Sequence, residues 1–500
     1  MREKGFSTWI REAHPSPKLK NRGNMFTVHH HHHLPSQLKK LRRLMYVSPV
    51  ITIFSLTLLL WSYRPDRSFQ FWTQYYTATS EPQIPVQPTV PHQCGSGKMV
   101  PRGQKVSIVA VKQTKTLLVS AYQEHRTKKK EIRVIAVVMR SEAVAYRCLI
   151  CCQGQLHLSE GVSNIHPDHF GFAYGTADIM CPLPSGCETP SYIAVTSALD
   201  FEETLDREFL EVKNQEAKKD FFPYNFTVCL STMFDFTNVL QLVQSLEMLQ
   251  LLGVNKVVIY KTSSSPETQR ILDYYTHKGL VEEIHWSLSR FLNVSQGWLP
   301  LHGPGDLHYF GQIPALNDCL YRYMYQSRYM ALQDVDELIL PQSVNSWLEL
   351  LPLLEKKYGA DQCYMFENNV FPNTLSLPPP ASQAVPPPGL WQSVSGVNIL
   401  AHLYHEPIIT ETHFSNFKII VNPRAVFSPT VHGLLGSEKG CSWVARNIAR
   451  MYHTRAPKQT HLTPDQLIYD GRLLSYSTRL TPAVSAVLRE SGLLPENGTQ

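Results

Sequence analysis

The chain has 500 residues and a mass of 57.0 kDa, and this length predicts two or three domains joined by linkers. Its residues are 43% hydrophobic, 10% aromatic and 18% charged, which excludes a fully disordered, collagen-like, coiled-coil or multi-span membrane protein. The formal net charge is +6, but residues 1–43 hold ten Lys or Arg and two Asp or Glu, so they carry +8 and the remainder carries −2.

Residues 44–63 are free of charge and long enough to cross a bilayer as a helix, which takes about 20 residues. Four basic residues precede this stretch, so the positive-inside rule predicts that residues 1–43 are a cytosolic tail and that the chain after the helix is luminal. We expect an uncleaved signal anchor rather than a cleaved signal peptide or a buried core helix, because 43 residues come first and no small-residue cleavage site follows. The excess of basic residues then lies in the cytosolic tail and indicates membrane topology. Because the rest of the chain is luminal, nucleic acid is excluded as a partner.

The run of five histidines at 29–33 is interpreted as part of a low-complexity tail or an artefact, not as a metal site. All ten cysteines follow the predicted anchor, on the side where disulfides persist. Cys148 and Cys151 have the spacing of a zinc or redox pair, but no second ligand pair accompanies them, so disulfides of undetermined pairing are favoured. The predicted N-glycosylation sites are Asn225, Asn293 and Asn497.

Composition divides the luminal part into segments. Residues 64–105 form a proline-rich stem, and residues 106–220 read as a β-rich module that contains cysteines. Within that module, the charged stretch 202–219 has the residue preferences of a helix. Residues 481–500 are assigned to a C-terminal tail.

Residues 221–480 alternate between strand and helix patterns. A short apolar strand at 226–230 is followed by a helix at 239–252 that Gly253 closes. A strand at 256–260 is followed by a helix that starts at a capping box formed by residues 264–267, with Ser264 as its first residue, and ends near His277. Further along come a strand at 280–286, a helix at 313–325 and a strand at 329–333. This alternation predicts an α/β domain of the nucleotide-binding type with a mainly parallel sheet, whose ligands bind at the carboxyl ends of strands.

Asp334 and Asp336 stand where the strand 329–333 becomes a loop. Two carboxylates at this spacing can converge on a divalent cation that in turn holds a diphosphate. About one such triplet is expected by chance in a chain of this length, and the alternative is a loop-capping pair at a strand end. Its place at the ligand edge of an α/β sheet in a luminal protein favours the metal site.

The residues around this triplet resemble the central signature of glycosyltransferase family 92. The resemblance is carried by residues 311–320 and 329–341, with likeness upstream at 252–260 and 271–279 and downstream at 418–423, 431–432 and 452–455. It implies a Rossmann-like, GT-A-type transferase domain, dependence on Mn²⁺, and inverting transfer of galactose from UDP-galactose. In animal members of the family the acceptor is the core fucose of N-glycans on glycoproteins and the linkage is β-1,4. For this chain the resemblance implies a single-pass type II protein of the Golgi membrane.

The site residues combine this resemblance with side-chain chemistry. The metal is assigned to Asp334, Asp336 and His432, where a structural role for His432 is the alternative. Nucleotide-sugar binding is assigned to Tyr260, Asp318, Lys418, Arg424, His453 and Arg455. One departure from the family pattern is Asn422, which stands where an arginine is usual, and Arg424 is the expected substitute.

An inverting transfer needs a carboxylate base. The candidates are Glu337 and Glu367, while Glu406 and Glu411 lie in the same half of the chain. Two other functions stay open at this point. One is a transferase that uses a different nucleotide sugar, because no motif fixes the donor, and the other is a catalytically silent, sugar-binding Golgi protein.

Overall fold

The computed structural model describes residues 94, 108–199, 207–217, 220–380, 386–387, 389–409 and 414–495. The predicted cytosolic tail, the anchor helix at 44–63, the stem apart from Cys94, and the sequon at Asn497 lie outside these residues. Across the described ranges, no helix has both the length and the apolar character needed to cross a bilayer.

The first part of the described chain is an eight-stranded β-barrel. The strand order is β1-β2-β3-β6-β5-β4-β7-β8, and parallel pairing between β2 and β8 closes the sheet. Side chains such as Val134, Ile150 and Ile179 fill its interior. The bounds are β1 Val109–Ala110, β2 Leu117–Glu124, β3 Glu131–Met139, β4 Tyr146–Cys152, β5 Gln155–Ile165, β6 Tyr174–Pro182, β7 Pro190–Ser197 and β8 Leu210–Lys213.

The barrel confirms the predicted β-rich module and corrects one prediction within it. The stretch 202–219 was expected to be helical, yet its residues 210–213 form β8, which pairs with both β7 and β2. Leu210 and Val212 point into the barrel and are buried. Burial of alternate apolar side chains, together with pairing on both edges, outweighs the helical preference of the charged residues around them.

All ten cysteines form disulfides, as expected for a chain on the luminal side of the membrane. Cys148 and Cys151 do not act as a CxxC pair, because each forms a disulfide with a different cysteine. Three bridges lie in the barrel or join Cys94 to it, and two lie within the α/β domain. The pairs are Cys94–Cys151, Cys148–Cys181, Cys152–Cys187, Cys229–Cys319 and Cys363–Cys441. Five disulfides fit a protein of the secretory pathway.

The second part is a mixed α/β domain. Its helices are α1 Val239–Leu252, α2 Pro266–His277, α3 Gln312–Tyr323, α4 Trp347–Tyr358 and α5 Ser477–Glu490. Its strands are β9 Tyr224–Met233, β10 Lys256–Lys261, β11 Val281–His285, β12 Ser327–Gln333, β13 Glu337–Pro341, β14 Cys363–Phe366, β15 Asn368–Pro372, β16 Tyr404–His405, β17 Lys418–Val421, β18 Val426–Thr430, β19 Gly433–Ser437, β20 Cys441–Trp443, β21 Ala449–Arg455 and β22 Ile468–Tyr469. Helix α5 runs across the boundary predicted at residue 480, and its buried face packs on α1.

The central sheet of this domain has seven strands in the order β11-β10-β9-β12-β17-β14-β20. The four strands β11, β10, β9 and β12 are parallel, and β17 is antiparallel to both of its neighbours. The predicted mainly parallel α/β sheet is therefore confirmed. A separate three-stranded sheet, β13-β21-β15, lies beyond the carboxyl end of β12, because only three residues separate the end of β12 from the start of β13.

Local sequence signals place the helix ends close to their predicted positions. Gly253 follows α1 with a φ of 98°, a left-handed conformation that suits glycine and ends the helix. Helix α2 starts one residue later than the predicted capping box, because the Ser265 side chain, not that of Ser264, accepts the Thr268 N–H.

Candidate active site

The parallel register brings the ends of β9 and β12 side by side. Gln333 is paired with Leu230, so Ser231 and Asp334 follow at the same edge of the sheet. The Ser231 hydroxyl donates to Asp334 Oδ1, and the Gln312 side-chain amide at the start of α3 donates to the same oxygen over 3.1 Å. Asp334 is thus held by strand and helix ends that surround it.

A buried lysine neutralises Asp334. Lys418, the first residue of β17 and only 3% exposed, places Nζ 2.9 Å from Asp334 Oδ2 and 3.3 Å from Glu337 Oε2. Burial by itself would raise the pKa of Asp334, but Lys418 and the Ser231 hydrogen bond lower it to about 2. Burial would likewise lower the pKa of Lys418, and the two carboxylates raise it instead. Burial also raises the pKa of Glu337, and the Lys418 charge opposes this rise.

Asp336 faces His453, which is distant from it in the sequence. Its Oδ2 lies 3.1 Å from His453 Nε2, and its side chain is 35% exposed. The antiparallel pairing of β13 with β21 sets Glu337 opposite His453, and Glu337 Oε1 lies 3.5 Å from the other ring nitrogen, Nδ1. Burial opposes protonation of His453, but the carboxylates of Glu337 and Asp336 outweigh it and raise the pKa of the imidazole.

The Asp336–His453 pair has the spacing of two ligands of one cation. Two ligands about 2.1 Å from an octahedral ion and at right angles lie about 3 Å apart. A carboxylate behind the distal nitrogen of a ligating histidine is the usual arrangement at metal sites, and Glu337 occupies that place. No cluster of three or more His, Cys, Asp or Glu side chains able to hold a metal occurs among the described residues. The pair fits a cation that takes its remaining ligands from substrate and water.

His432, the third predicted metal ligand, does not join this pair. Its Nδ1 lies 3.3 Å from the Phe417 carbonyl, and its ring stacks on Trp298 at a centroid distance of 5.6 Å. Burial and the nearby Lys418 charge lower the pKa of His432 to about 4. His453 is thus the histidine that contacts Asp336, while His432 contacts Phe417 and Trp298.

An open cleft of about 480 Å³ lies at the same edge of the sheet as the cluster. It is lined at the carboxyl ends of three parallel strands by Phe234, Thr262 and Trp286, and by Phe310, which is two residues before Gln312. Phe234 and Phe310 stack at 4.6 Å, and Trp286 donates its indole N–H to the Phe310 carbonyl over 3.0 Å. A cleft with flat aromatic side chains at this edge of an α/β sheet suits a nucleoside.

Arg455 stands at the open side of the cluster. It is the last residue of β21, two residues after His453, and it is exposed. Its charge acts on the His453 imidazole and on the phenol of Tyr309, which Asp334 and Asp336 also influence. Arg455 and Tyr309 are therefore neighbours of the carboxylates.

Several predicted binding residues lie elsewhere. Tyr260 and Asp318 are buried and bonded to each other, with the Tyr260 hydroxyl donating to Asp318 Oδ2 over 2.5 Å. Tyr122 of the barrel donates to Asp318 Oδ1 over 2.6 Å, and Arg322 pairs with Oδ2 at 2.9 Å. This polar cluster joins the barrel to the domain core, so neither Tyr260 nor Asp318 is available to a ligand.

Arg424 is also directed away from the site. Its guanidinium donates to the carbonyls of Met324, Ser327 and Arg328 over 2.5–2.8 Å. Ser327 starts the seven-residue strand β12 and Asp334 follows its end, so the two positions are about 20 Å apart. A diphosphate at Asp334 is out of reach of Arg424.

Of the two predicted bases, only Glu337 lies in the cluster. Glu367 is buried between β14 and β15, and its Oε1 lies 3.6 Å from Arg446 Nε. Glu406 accepts hydrogen bonds from the backbone N–H groups of Lys458 and Gln459. Glu411 lies outside the described residues. The sequons at Asn225 and Asn293 are exposed, and Asn293 lines the cleft.

Sequence reasoning missed Ser231, Gln312 and Tyr309. A usable signal existed for Ser231, because it stands at the carboxyl end of a strand predicted to be parallel to 329–333, and such ends meet at one edge. Gln312 and Tyr309 approach through the irregular segment 286–311, whose path no periodicity in the sequence reveals.

The chain is similar in sequence to known proteins of one family. A family model described as glycosyltransferase family 92 matches residues 224–486, which include the whole cluster and exclude the barrel. A glycosyltransferase family 92 protein of Caenorhabditis elegans is 26% identical to this chain over 125 residues. That alignment covers 25% of this chain and spans about a quarter (24%) of the nematode protein's length.

Proposed function

The chain belongs to glycosyltransferase family 92, and we propose that it is a metal-dependent, inverting hexosyltransferase that transfers galactose from UDP-galactose to a glycan. Membership of the family makes it a glycosyltransferase. The choice of galactose, of a β-1,4 linkage and of core fucose on N-glycans as the acceptor follows the resemblance to animal members of the family.

One observation supports metal-dependent transfer above the others: Asp336 Oδ2 and His453 Nε2 lie 3.1 Å apart at the ligand edge of the sheet. Carboxylate and imidazole, with substrate oxygens and water, suit Mn²⁺. Bound there, a divalent cation would neutralise the charge that develops on the leaving nucleotide diphosphate. Asp336 and His453 would hold it, and Glu337 would fix the His453 ring through Nδ1.

The other charged residues of the cluster have distinct roles in this proposal. Lys418 and Ser231 keep Asp334 ionised and fixed, so its carboxylate presents a constant charge beside the cation site. Exposed Arg455 reaches the diphosphate from the open side. The aromatic cleft beside Gln312 receives the uridine.

In the reaction, an acceptor hydroxyl attacks the anomeric carbon, the bond from that carbon to the phosphate oxygen breaks, and UDP leaves. The hydroxyl proton passes to a carboxylate base. Glu337 is 2% exposed and engaged by Lys418 and by the Asp334 N–H over 2.8 Å, so we assign it an orienting role rather than that of the base.

The compartment proposed for this reaction is the Golgi lumen, with the chain anchored as a single-pass type II membrane protein and acting on glycoproteins. The five disulfides support an oxidising compartment. The predicted anchor supports attachment to the membrane.

The test is a donor screen with the secreted luminal part of the chain, comprising the barrel and the α/β domain. UDP-galactose, UDP-glucose, UDP-N-acetylglucosamine and UDP-N-acetylgalactosamine are each offered with fucosylated and non-fucosylated N-glycan cores, with Mn²⁺ or with a chelator. The proposal predicts Mn²⁺-dependent galactose transfer to the fucosylated core and inversion at the anomeric carbon.

Each other outcome of the screen has a definite meaning. Turnover with a different donor contradicts the galactose assignment and keeps the transferase. Equal rates with the chelator contradict the metal. Binding of glycan without turnover of any donor identifies a silent sugar-binding protein.

A further inference from the structure

A loop of the barrel reaches the neighbourhood of the catalytic cluster. This barrel loop, residues 166–173, joins β5 to β6 and touches two segments of the α/β domain. Phe170 stacks on His308 at a centroid distance of 4.2 Å, and the Asp168 carboxylate accepts a hydrogen bond from the Thr430 hydroxyl. At the end of the loop, the Tyr174 N–H donates to the Asp306 carbonyl over 2.9 Å.

The barrel itself holds this loop in place. Arg140 Nε donates to the Phe172 carbonyl over 2.7 Å, and Arg140 Nη1 lies 3.0 Å from His169 Nε2. The His166 N–H donates to the Thr176 carbonyl over 2.9 Å. Phe170 has a φ of 53°, a left-handed conformation that is costly for a bulky residue and that directs its ring outward to His308. The loop is therefore a fixed support.

Phe170 of the barrel loop contacts one of three half-buried rings that pack together. We call these rings the aromatic wall: Trp298, Tyr309 and His432. Trp298 stacks on Tyr309 at 5.0 Å and on His432 at 5.6 Å, and the Phe170 ring meets Trp298 edge to face at 5.9 Å. Burial lowers the pKa of His308, which lies behind Trp298, to about 3, so it packs as a neutral ring.

The aromatic wall borders the cluster on a different surface from the nucleoside cleft. Tyr309 and Phe310 are adjacent, yet Phe310 stacks on Phe234 in the cleft while Tyr309 stacks on Trp298. The Tyr309 hydroxyl takes part in none of the hydrogen bonds of the described residues, and the charges of Asp334 and Asp336 act on it. A flat, half-buried apolar surface with one polar group near the carboxylates of Asp334 and Asp336 suits the C–H face of a sugar ring.

We propose that the acceptor saccharide binds against the aromatic wall, and that Phe170 of the barrel is a positioning residue for it. This inference rests on the proposed function and adds to it the barrel, which lies outside the residues matched by the family model. Donor binding depends on the cleft and on the Asp336–His453 pair, so it does not depend on Phe170.

The experiment compares Phe170→Ala, Phe170→Tyr and the control Phe221→Ala in the secreted barrel and α/β domain. Phe221 is 78% exposed. Transfer to the fucosylated core gives the acceptor KM, and hydrolysis of UDP-galactose without acceptor gives the donor KM. We expect Phe170→Ala to raise the acceptor KM about fivefold or more, with the donor KM and hydrolysis rate unchanged, and Phe170→Tyr to restore it. An unchanged acceptor KM, or an equal rise of the donor KM, overturns the inference.

A binding measurement separates this inference from the proposed function. Methyl α-fucoside and the fucosylated core are titrated against wild type and Trp298→Phe while tryptophan fluorescence is recorded. We expect a saturable change in wild type that Trp298→Phe lacks, whether or not any donor turns over. If no donor turns over but the fluorescence changes, the proposed function fails and the saccharide site stands. If turnover occurs and Trp298→Phe shows the wild-type fluorescence change, the aromatic wall is not the acceptor site. The fluorescence titration also tests whether the aromatic wall binds the acceptor if Phe170→Ala does not fold.

Discussion

His453 Nε2 lies 3.1 Å from Asp336 Oδ2 although 117 positions separate the two residues in the chain. The contact exists because β13 and β21 pair antiparallel with Glu337 opposite His453. Asp336 comes one residue before β13, so the same register that seats Glu337 behind the imidazole brings Asp336 to its front. The proposed metal ligands and the carboxylate behind them are thus brought together by a single strand pairing.

The first prediction concerns this pair. Asp336→Asn and His453→Gln each remove one proposed ligand and should lower kcat by about 100-fold or more, because the developing charge on the leaving group loses its counter-charge. Initial rates of UDP-galactose transfer at saturating Mn²⁺ check this. The matched control is Asp220→Asn, an exposed carboxylate that should leave the rate unchanged. Wild-type rates for either site variant would refute the assigned ligands.

The second prediction concerns the buried Lys418. Lys418→Met leaves Asp334 and Glu337 facing each other without their cation, and such a loss costs about 3 kcal/mol or more of unfolding free energy. Urea unfolding followed by fluorescence measures the loss. Lys439→Met removes a lysine that is 49% exposed and 3.8 Å from Asp361, so it should cost less than about 1 kcal/mol. Equal losses for the two variants would show that the buried ion pairs do not stabilise the fold.

The third prediction is a pH dependence at the junction of barrel and domain. Glu124 on β2 accepts from Arg126 Nε and Nη2 over 2.7 Å, from Arg133 over 3.3 Å, and from the hydroxyl of Tyr321 on α3 over 3.3 Å. Burial would raise the pKa of Glu124, but Arg126 and then Arg133 lower it to about 2, from 4.5 in the unfolded chain. The group therefore stabilises the fold at a pH above about 4.5, and this stability is lost as the pH falls toward 2.

The measurement for Glu124 is a difference between two proteins. The unfolding free energy of wild type minus that of Glu124→Gln should be about 2 kcal/mol smaller at pH 3 than at pH 7. Taking the difference removes the titration of groups that the two proteins share. A difference that stays constant with pH would mean that Glu124 is not held ionised by the arginines.

The sequence predicted what local patterns control. Gly253 ends α1 where expected, the strand before Asp334 lies as predicted, and the alternation of elements indicated the parallel sheet correctly. It did not indicate what long-range pairing decides, since the contact between Asp336 and His453 depends on the β13–β21 register. Tyr260 shows a second limit: nearness to a strand end does not tell which face of the sheet a side chain occupies, and this one is buried against Asp318.

The last prediction concerns the turn that leads into α3. Tyr309, Phe310 and Gly311 have successive positive φ values of 27°, 52° and 72°. This left-handed run sets Tyr309 in the aromatic wall, Phe310 in the cleft and Gln312 on Asp334. A Cβ at Gly311 would meet Leu288 Cδ1 at 2.5 Å and would also be strained by the backbone, so the turn depends on glycine here.

Gly311→Ala should therefore displace three neighbouring groups at once. We expect a loss of about 1 kcal/mol or more in unfolding free energy, with the KM for both UDP-galactose and acceptor raised, because the cleft and the aromatic wall share this turn. The control is Gly440→Ala, where a Cβ would meet nothing within 4 Å. Thermal unfolding and the two KM values check the pair of variants. If Gly311→Ala raised only one KM, the cleft and the aromatic wall would be positioned independently, contrary to the geometry of the turn.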